Sequence, residues 1–387
     1  MIYPSSKNSD GRGGTIKILL IGNAYPTQQQ VCVVWLRRIA EGLEASGCRV
    51  DRLVIRGMAR WRLGRLWQYL LFYLRLLLAR FDGYDIVYLH HPSHTALPVL
   101  LRRIRGAKLV VNLHGLDLLP DTRIRFLGRM FRCITLWACR RADLVVVPSD
   151  YYRRELCRVM RPRRVHVSPS GGVDMARLRP ATQAGNGSLR IGYLGHLASI
   201  KAVDVLLKAA AQLTEVPEIV LVGDGPQRAD LESLAGRLGI GKRVRFVGAV
   251  PYNRIADHLQ AFSVLVFPTR QESLGLVAVE AMACGVPVIA SRIPALVEYI
   301  REGVNGLLFE PGNVNELAVA IERFGRLSKQ QRRTLSQGAV QTAGKYDSAR
   351  VTTELAAAFR RLVGQDTPLA DSRSPQPQRQ RLTDVQV

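Results

Sequence analysis

Short apolar runs alternate with amphipathic stretches along most of the chain, and this alternation predicts the elements of the fold. Each run is suited to a buried strand of a parallel sheet, and each is followed by a loop and a stretch in which apolar residues have helical spacing. The predicted strands lie at residues 16–21, 85–89, 108–113, 143–147, 189–194, 218–222, 243–247, 263–267 and 287–290. Two successive sets of this pattern predict an α/β protein with two doubly wound, Rossmann-like domains, whose ligands bind at the carboxyl ends of the strands.

The same pattern, together with segments of polar composition, predicts where the domains begin and end. A polar gap between the two sets is typical of a linker, and the last segment, rich in Pro, Gln, Ser and Arg, cannot bury enough apolar surface to fold. The predicted parts are a flexible N-terminus at 1–14, a first domain at 15–179, a linker at 180–188, a second domain at 189–347, a helix at 348–364 that packs back towards the first domain, and a disordered tail at 365–387.

Basic residues are concentrated in the first half of the chain. The net charge is +24, and residues 1–170 carry 29 Lys and Arg against 11 Asp and Glu, whereas the remainder carries 26 against 20. Such an excess predicts contact with a polyanion, and the candidates are a membrane surface, a nucleic acid and an anionic substrate. The arginines form no helix-turn-helix, zinc-finger or RNA-binding pattern, so a nucleic-acid-binding protein is a disfavoured alternative.

The N-terminal residues and the cysteines bear on the cellular compartment. The first fifteen residues are polar and rich in Gly and Ser, which is unlike a secretory signal. The six cysteines show no C-x-x-C pairing and are interpreted as reduced thiols. The sequence therefore predicts a cytoplasmic protein, either free or peripheral on the inner face of the plasma membrane, and leaves the oligomeric state open.

A basic, aromatic stretch at residues 60–80 is the main candidate for a membrane contact. Its uninterrupted apolar run is far shorter than the roughly 20 residues that span a bilayer. Its arginines interleave with tryptophan, tyrosine and leucine, as in helices that lie in a membrane interface. The alternative is a helix packed on the sheet with solvated arginines, and the two interpretations are compatible on different faces. A second basic stretch covers residues 123–164.

Residues 263–291 carry the most specific candidate chemistry. A strand ends at Pro268, a loop follows, and a short helix at 276–284 stops at Gly285. The first amides of such a helix have no partner within it and point outward, so they form an anion site suited to a diphosphate. Glu272 lies in the loop and Glu280 on the helix, so both can face one elongated ligand and accept hydrogen bonds from sugar hydroxyls.

This segment resembles the signature of the retaining glycosyltransferases of family 4. In that signature two glutamates separated by seven residues are followed by a small-residue helix and a Gly-x-Pro turn into the next strand, as they are here. The resemblance implies a GT-B fold, in which two Rossmann-like domains face each other across a cleft. It also implies that Glu272 contacts the donor sugar and Glu280 the ribose of the nucleotide. The amides near Leu274 and Gly275 would meet the sugar or phosphate, and Ser273 and Leu276 beside them are further donor-binding candidates.

Residues 190–208 resemble a second element of the same family, in which a strand ends at a glycine and a lysine precedes the next helix. Here these positions are Gly195 and Lys201, and a lysine there is well placed to neutralise the departing diphosphate. The family usually has arginine where this chain has His196 and glycine where it has Ala202. His196 is a donor-binding candidate that would offer one hydrogen bond in place of a permanently charged fork.

In the first domain the resemblance points to loops that follow two of the strands. His114 follows the strand at 108–113, where the family carries a histidine that contacts the transferred sugar, and Asp117 is a weaker candidate beside it. Gly22 is the donor-binding candidate after the first strand, where the loop lacks the glycine pair that the family usually presents near residues 28–30. The other weaker candidates, all in the second domain, are Gly223, Gly225, Val250 and Arg270.

The combined expectation is a retaining glycosyltransferase of the hexosyltransferase type. It would move a sugar from a UDP- or GDP-linked donor to a hydroxyl of a lipid-linked glycan or polysaccharide precursor, with Glu272, His114 and Lys201 as catalytic residues. No D-x-D motif is present, so we expect no cofactor and no obligatory divalent metal, and the nucleotide sugar is a co-substrate. The alternatives are a sugar-nucleotide epimerase or a phosphorylase of the same architecture. A dinucleotide oxidoreductase is disfavoured, because neither domain has G-x-G-x-x-G after its first strand.

Overall fold

Two six-stranded, fully parallel sheets form the framework of the molecule. The computed structural model describes residues 14–25, 34–56, 62–102, 104–118, 125–181 and 189–365. In spatial order the first sheet consists of β2 (Arg49–Arg56), β1 (Lys17–Tyr25), β3 (Ile86–His90), β4 (Lys108–Asn112), β5 (Leu144–Val147) and β6 (Val165–Val167). The second sheet consists of β12 (Gly306–Phe309), β11 (Val288–Ser291), β10 (Val264–Phe267), β7 (Arg190–Leu194), β8 (Glu218–Val222) and β9 (Val244–Gly248).

Helices connect the strands, as parallel sheets require, because a parallel crossover needs a long connection. The helices up to residue 159 are α1 (Val34–Ala45), α2 (Arg62–Leu78), α3 (Pro92–Leu100), α4 (Gly115–Leu118), α5 (Arg125–Arg141) and α6 (Asp150–Val159). Those after residue 200 are α7 (Val203–Ala210), α8 (Arg228–Arg237), α9 (Ile255–Gln260), α10 (Leu276–Ala283), α11 (Val314–Arg326), α12 (Lys329–Gly344) and α13 (Ser348–Leu362). The predicted α/β class is confirmed.

Helices cover both faces of the first sheet. Leu19 and Leu89 face one apolar cluster, which Phe72 of α2 completes, and Tyr88 faces the opposite cluster. In that second cluster Tyr88 packs edge-on against Phe359 of α13, with 5.1 Å between the ring centroids. The last described helix therefore returns to the first sheet, and its apolar burial ties the two halves of the chain together.

The predicted strands agree with the structure to within one residue at each end, except for the first. We expected that strand to end at residue 21, but β1 continues to Tyr25 because the neighbouring β2 supplies partners for it, with Gly22 opposite Val54 and Tyr25 opposite Arg56. Among the described residues, three further strands were not predicted, namely β2, β6 and β12. The domain boundaries stay a prediction, and residues 1–13, 182–188 and 366–387, which make up most of the predicted N-terminus, linker and tail, lie outside the described residues.

Helix α2, which forms most of the basic, aromatic stretch, has one buried face and one exposed face, and its contact with a membrane stays a prediction. Phe72 and Leu76 are buried against the first sheet. The opposite face carries apolar side chains that are 42–72% exposed, namely Leu63, Leu66, Trp67, Leu70, Leu71, Leu74, Leu77 and Leu78. Across the described residues, no helix is both long and apolar enough to cross a membrane. Arg60 and Trp61 of the predicted stretch lie outside the described residues.

Candidate active site

The loop between β10 and α10 is tied to the turn that precedes α7. Arg270 donates a backbone hydrogen bond to the carbonyl of Ile200 (2.8 Å) and a guanidinium hydrogen bond to the carbonyl of Ser199 (2.8 Å). Thr269 donates its hydroxyl to the same Ile200 carbonyl at 3.3 Å. The guanidinium of Arg270, a weaker donor-binding candidate, is therefore engaged in holding two site loops together.

Lys201 and Glu272 form an ion pair where these two loops meet. Lys201 Nζ lies 2.5 Å from Glu272 Oε1, and the two side chains are 25% and 12% exposed. Lys201 Nζ also lies 6.0 Å from the centre of the Phe267 ring. Because the pair is largely shielded from water, its field is less screened than that of a surface pair. The structure thus joins two of the three predicted catalytic residues in one charged unit.

The N-terminus of α10 presents backbone amides beside this pair. Gly275 has a φ of +82°, and a Cβ there would lie 2.8 Å from Leu296 Cδ2, so glycine meets both the backbone and the packing requirement. The Tyr299 hydroxyl lies within 3.1 Å of the carbonyls of Leu274 and Gly275. No described residue accepts a hydrogen bond from the amides of residues 273–275. Free amides at a helix start form an anion site, and Leu276 is the first residue of the helix.

Glu280 is buried and shared between the two halves of the molecule. Its Oε1 accepts a hydrogen bond from the Tyr252 hydroxyl at 2.9 Å and lies 3.4 Å from Nη2 of Arg38, a residue of α1. Burial raises the pKa of the Glu280 carboxyl, and Arg38 and Tyr252 act in the opposite direction. Sequence reasoning missed both partners. Tyr252 lies two residues after the weaker candidate Val250, but Arg38 is 242 positions away from Glu280 in sequence and carries no local motif.

His114 lies in a cluster of rings at the carboxyl end of β4. Its Nε2 is 3.2 Å from His90 Nδ1, and its ring centroid is 4.1 Å from that of Trp35. The side-chain amide nitrogen of Asn112 also lies 3.2 Å from His90 Nδ1. Burial holds the pKa of His114 well below its usual value, with nearby His91 and His90 adding to the effect. His114 is therefore neutral.

Asp117 supports the loop that carries His114. Its carboxylate accepts from the backbone amide of His114 (2.7 Å) and from the hydroxyl of Ser93 (2.8 Å). Burial raises the pKa of Asp117 to about 6, and these hydrogen bonds oppose the shift. The carboxylate of this weaker candidate is thus engaged in fixing the conformation of the loop.

The two sheets meet at Ser273. The hydroxyl of Ser149, at the start of α6, donates to the carbonyl of Ser273 at 2.5 Å. A Cβ built on Gly115 would lie 3.4 Å from Ser273 Oγ. Gly115 follows His114 directly and Glu272 precedes Ser273, so the carboxyl ends of both sheets contribute to a single site. This is where ligands bind in doubly wound sheets.

Three further candidates, Gly22, His196 and Val250, lie in a strand, an exposed loop and a half-buried loop. Gly22 lies within β1 opposite Val54, so its prediction as a loop residue was wrong. His196 is exposed, and its carbonyl accepts from the Tyr193 hydroxyl at 3.0 Å. Val250 is half-buried and packs on the core of the second sheet, two residues before Tyr252.

Gly195, Gly223 and Gly225 allow two loops to approach backbone to backbone. Gly223 has a φ of +133°, and a Cβ there would lie 1.9 Å from the carbonyl oxygen of Gly195. A Cβ on Gly225 would lie 2.4 Å from the carbonyl oxygen of Leu197. The glycine turn is therefore required by loop packing, whether or not a ligand contacts it.

We expect Gly223→Ala to lower the free energy of unfolding by about 3 kcal/mol, because the methyl group would overlap backbone that cannot rotate away. Urea denaturation measures this change. Gly236→Ala in α8 is the control, since its Cβ meets nothing within 4 Å, and it should stabilise the helix by about 0.5–1 kcal/mol. Equal stability of Gly223→Ala and the wild type would contradict the packing explanation.

Family models match both halves of the chain. Residues 174–341 match the model described as Glycosyl transferases group 1, and residues 29–177 match the model described as Glycosyltransferase Family 4. The D-inositol 3-phosphate glycosyltransferase of Mycobacterium leprae is 35% identical over 243 residues, which cover 58% of this chain and 56% of that relative. This chain therefore matches little more than half of the relative's length.

Solved structures of similar architecture cover nearly the whole chain. Sucrose-phosphate synthase from Thermosynechococcus elongatus has a TM-score of 0.76 and 22% identity, over 91% of this chain and 100% of that one. Anabaena Alr3699/HepE, solved in complex with UDP-glucose, has a TM-score of 0.71 and 23% identity, over 89% of this chain and 100% of that one. At these identities the likeness concerns the fold, and it agrees with the GT-B arrangement of two facing Rossmann-like units.

Proposed function

This chain belongs to glycosyltransferase family 4, and we propose that it transfers a sugar from a nucleoside-diphosphate sugar to an acceptor hydroxyl with retention of the anomeric configuration. The observation that carries the proposal is the Lys201–Glu272 ion pair beside the free amides of α10. A departing nucleoside diphosphate develops negative charge, and a fixed ammonium with oriented amides stabilises that charge without reorganisation. The site is thus suited to a diphosphate leaving group.

Each residue around the pair has a proposed role. Glu272 orients the donor sugar, and Glu280 accepts hydrogen bonds from the ribose of the nucleotide. The neutral imidazole of His114 forms a hydrogen bond with a sugar hydroxyl, which helps to hold the sugar in line with the incoming acceptor. The UDP-glucose complex of Anabaena Alr3699/HepE supports a nucleotide sugar as the donor class.

A donor panel tests this proposal. The wild-type protein is incubated with UDP- and GDP-linked hexoses and an acceptor extract of lipids and glycans, and release of the nucleoside diphosphate is followed. We propose that the reaction needs no divalent metal, so release should be unchanged by EDTA. Release that stops with EDTA and returns with manganese would remove that part of the proposal. Conversion of the donor alone into free product would favour an epimerase or phosphorylase.

We further propose that the protein works at an anionic membrane surface on the cytoplasmic side, where a lipid-linked acceptor would be found. Helix α2 supports this proposal, because its outer face exposes Trp67 and a row of leucines next to Arg65 and Arg75. Leu101, just after α3, is also 66% exposed. Apolar side chains flanked by arginines fit the interface of an anionic bilayer, where each nearby basic residue contributes about 1 kcal/mol.

We expect the double variant Trp67→Gln, Leu70→Gln to bind vesicles of phosphatidylcholine and phosphatidylserine about tenfold more weakly, because both apolar side chains would enter the interface. Co-sedimentation measures the bound fraction. Val319→Gln in α11 is the control, since Val319 is 64% exposed and Trp67 is 61% exposed. Unchanged binding of the double variant, or no dependence on phosphatidylserine, would overturn the membrane proposal.

A further inference from the structure

Arg38 reaches from the first helix into the donor side of the candidate site. Its Nη1 donates to the carbonyl of Gly172 at 2.5 Å, and its Nη2 donates to the Tyr252 hydroxyl and lies 3.4 Å from Glu280 Oε1. The guanidinium carbon is 4.7 Å from the centre of the Tyr252 ring. The side chains of Arg38 and Glu280 are only 10% and 9% exposed. The positive charge of Arg38 and the negative charge of Glu280, which come from different halves of the chain, are therefore both largely buried.

The other side of this contact is the turn that leads out of the first sheet. Ser170, Gly171 and Gly172 have φ values of +46°, +78° and +68°. A Cβ on Gly171 would lie 2.9 Å from Ile39 Cγ1, so the turn packs directly on α1. Because Nη1 is held at this turn, the guanidinium has little freedom to follow a displaced carboxylate. Arg38 therefore holds the Glu280 carboxylate in one position.

The two oxygens of Glu280 are used differently. Oε1 faces the Tyr252 hydroxyl and the Arg38 guanidinium. Oε2 accepts no hydrogen bond from any described residue. A buried carboxylate tends to take up a proton, and a buried arginine beside it favours the ionised form. The contact therefore orients the carboxylate and preserves its charge, while one oxygen remains for a ligand.

From this geometry we infer that Arg38 is a positioning residue of the donor site. It holds Glu280 ionised and oriented so that Oε2 can accept from the hydroxyls of a nucleotide ribose, and the donor site is complete only when Arg38 of α1 contacts Glu280. The inference rests on the proposed function, because it assigns Glu280 to the ribose. The loop after β1 lacks the glycine pair usual in the family, and Arg38 provides a first-domain contribution of a different kind.

Calorimetric titration with UDP and with GDP tests the inference. We expect Arg38→Gln to raise the dissociation constant of the nucleotide that the wild type binds by about tenfold, the effect of losing one charge-assisted contact. Steady-state kinetics should show a similar rise in the donor KM with a smaller change in kcat. Arg38→Lys, which keeps the charge, should recover part of the affinity. Arg37→Gln is the control, because Arg37 is the adjacent residue of α1 and pairs with Glu41 at 3.7 Å.

The pH dependence distinguishes positioning from a merely structural contact. The groups that act on the charge of Glu280 are Arg38 from α1 and Tyr252 after β9, and the Cys284 thiol, just after α10, is in turn affected by the charge of Glu280. The ionised carboxylate exists above its pKa and is lost as the pH falls through it. Since Arg38 lowers the pKa of Glu280, Arg38→Gln should move the acid limb of kcat/KM for the donor to higher pH. Tyr252→Phe, which keeps the guanidinium, should move it less.

The outcomes separate this inference from the proposed function. A wild-type protein that binds neither UDP nor GDP would overturn both. Binding by the wild type with equal affinity in Arg38→Gln, at an unchanged melting temperature, would overturn the role of Arg38 alone. Tighter nucleotide binding by Arg38→Gln would also overturn it, because the Arg38–Glu280 contact would then oppose binding of the nucleotide.

Discussion

Glu272→Gln should lower kcat by a factor on the order of 10²–10³, the effect of removing one preorganised electrostatic contact from a reacting centre. The substitution keeps the shape of the side chain but removes the charge that lies 2.5 Å from Lys201 Nζ. The donor sugar would lose its orienting carboxylate, while the nucleotide contacts through Glu280 remain. We therefore expect the dissociation constant of the nucleoside diphosphate to change little. Steady-state kinetics with the active donor, together with calorimetry, measures both quantities.

Glu310→Gln provides the matched control for this substitution. Glu310 also forms an ion pair, with Arg292 at 3.0 Å, but its side chain is 55% exposed and outside the candidate site. Its loss should leave kcat within about twofold, as is usual for an exposed pair. Near-normal transfer by Glu272→Gln would remove Glu272 from the reacting centre.

Lys201→Met should lower kcat by a similar factor, about 10²–10³, for a different reason. The substitution removes the positive charge that would stabilise the departing diphosphate, so the effect should be greatest for donors with poor leaving groups. Lys208→Met is the control, because Lys208 lies on the next helix and pairs with Asp204 at 2.9 Å while 45% exposed. A loss of activity in Lys208→Met equal to that in Lys201→Met would indicate a general effect of charge.

The two substitutions should not be additive. Glu272 and Lys201 are in direct contact, so each single variant already disrupts the unit that both residues form. The double variant Glu272→Gln, Lys201→Met should therefore lose much less activity than the product of the two single losses. Fully multiplicative losses would show that the residues act independently.

The strands that were not predicted from the sequence share one feature, their position in the sheets. β2, β6 and β12 all lie at sheet edges, where a strand is covered less and needs fewer apolar residues. β2 contains Arg49, Asp51 and Arg52, which breaks the apolar run that identified the interior strands. In contrast, β3, β5 and β10 are buried throughout, and such strands are continuous apolar segments in the sequence. The extension of β1 to Tyr25 depended on β2 and was missed with it.

Some residues of the candidate site could be predicted from the local sequence, whereas others depend on contacts between distant segments of the chain. Glu272 and Lys201 each belong to a local strand–loop–helix pattern, so their loops could be recognised, and the parallel order of β7 and β10 then brings them together. Arg38 could not be found in this way, because only the packing of α1 against the Ser170–Gly172 turn directs it to Glu280. The environment of Arg270 could not be predicted either, because its hydrogen-bond acceptors are backbone carbonyls, which no residue type in the sequence identifies.

The stereochemistry of the product tests the proposed function most directly. Proton NMR of a reaction between the wild-type protein, its active nucleotide sugar and the acceptor fraction reports the anomeric configuration of the new bond. A retaining transferase predicts that an α-linked donor yields an α-linked product together with free nucleoside diphosphate, and that Glu272→Gln yields almost none. A β-linked product from the same donor would contradict the proposed function.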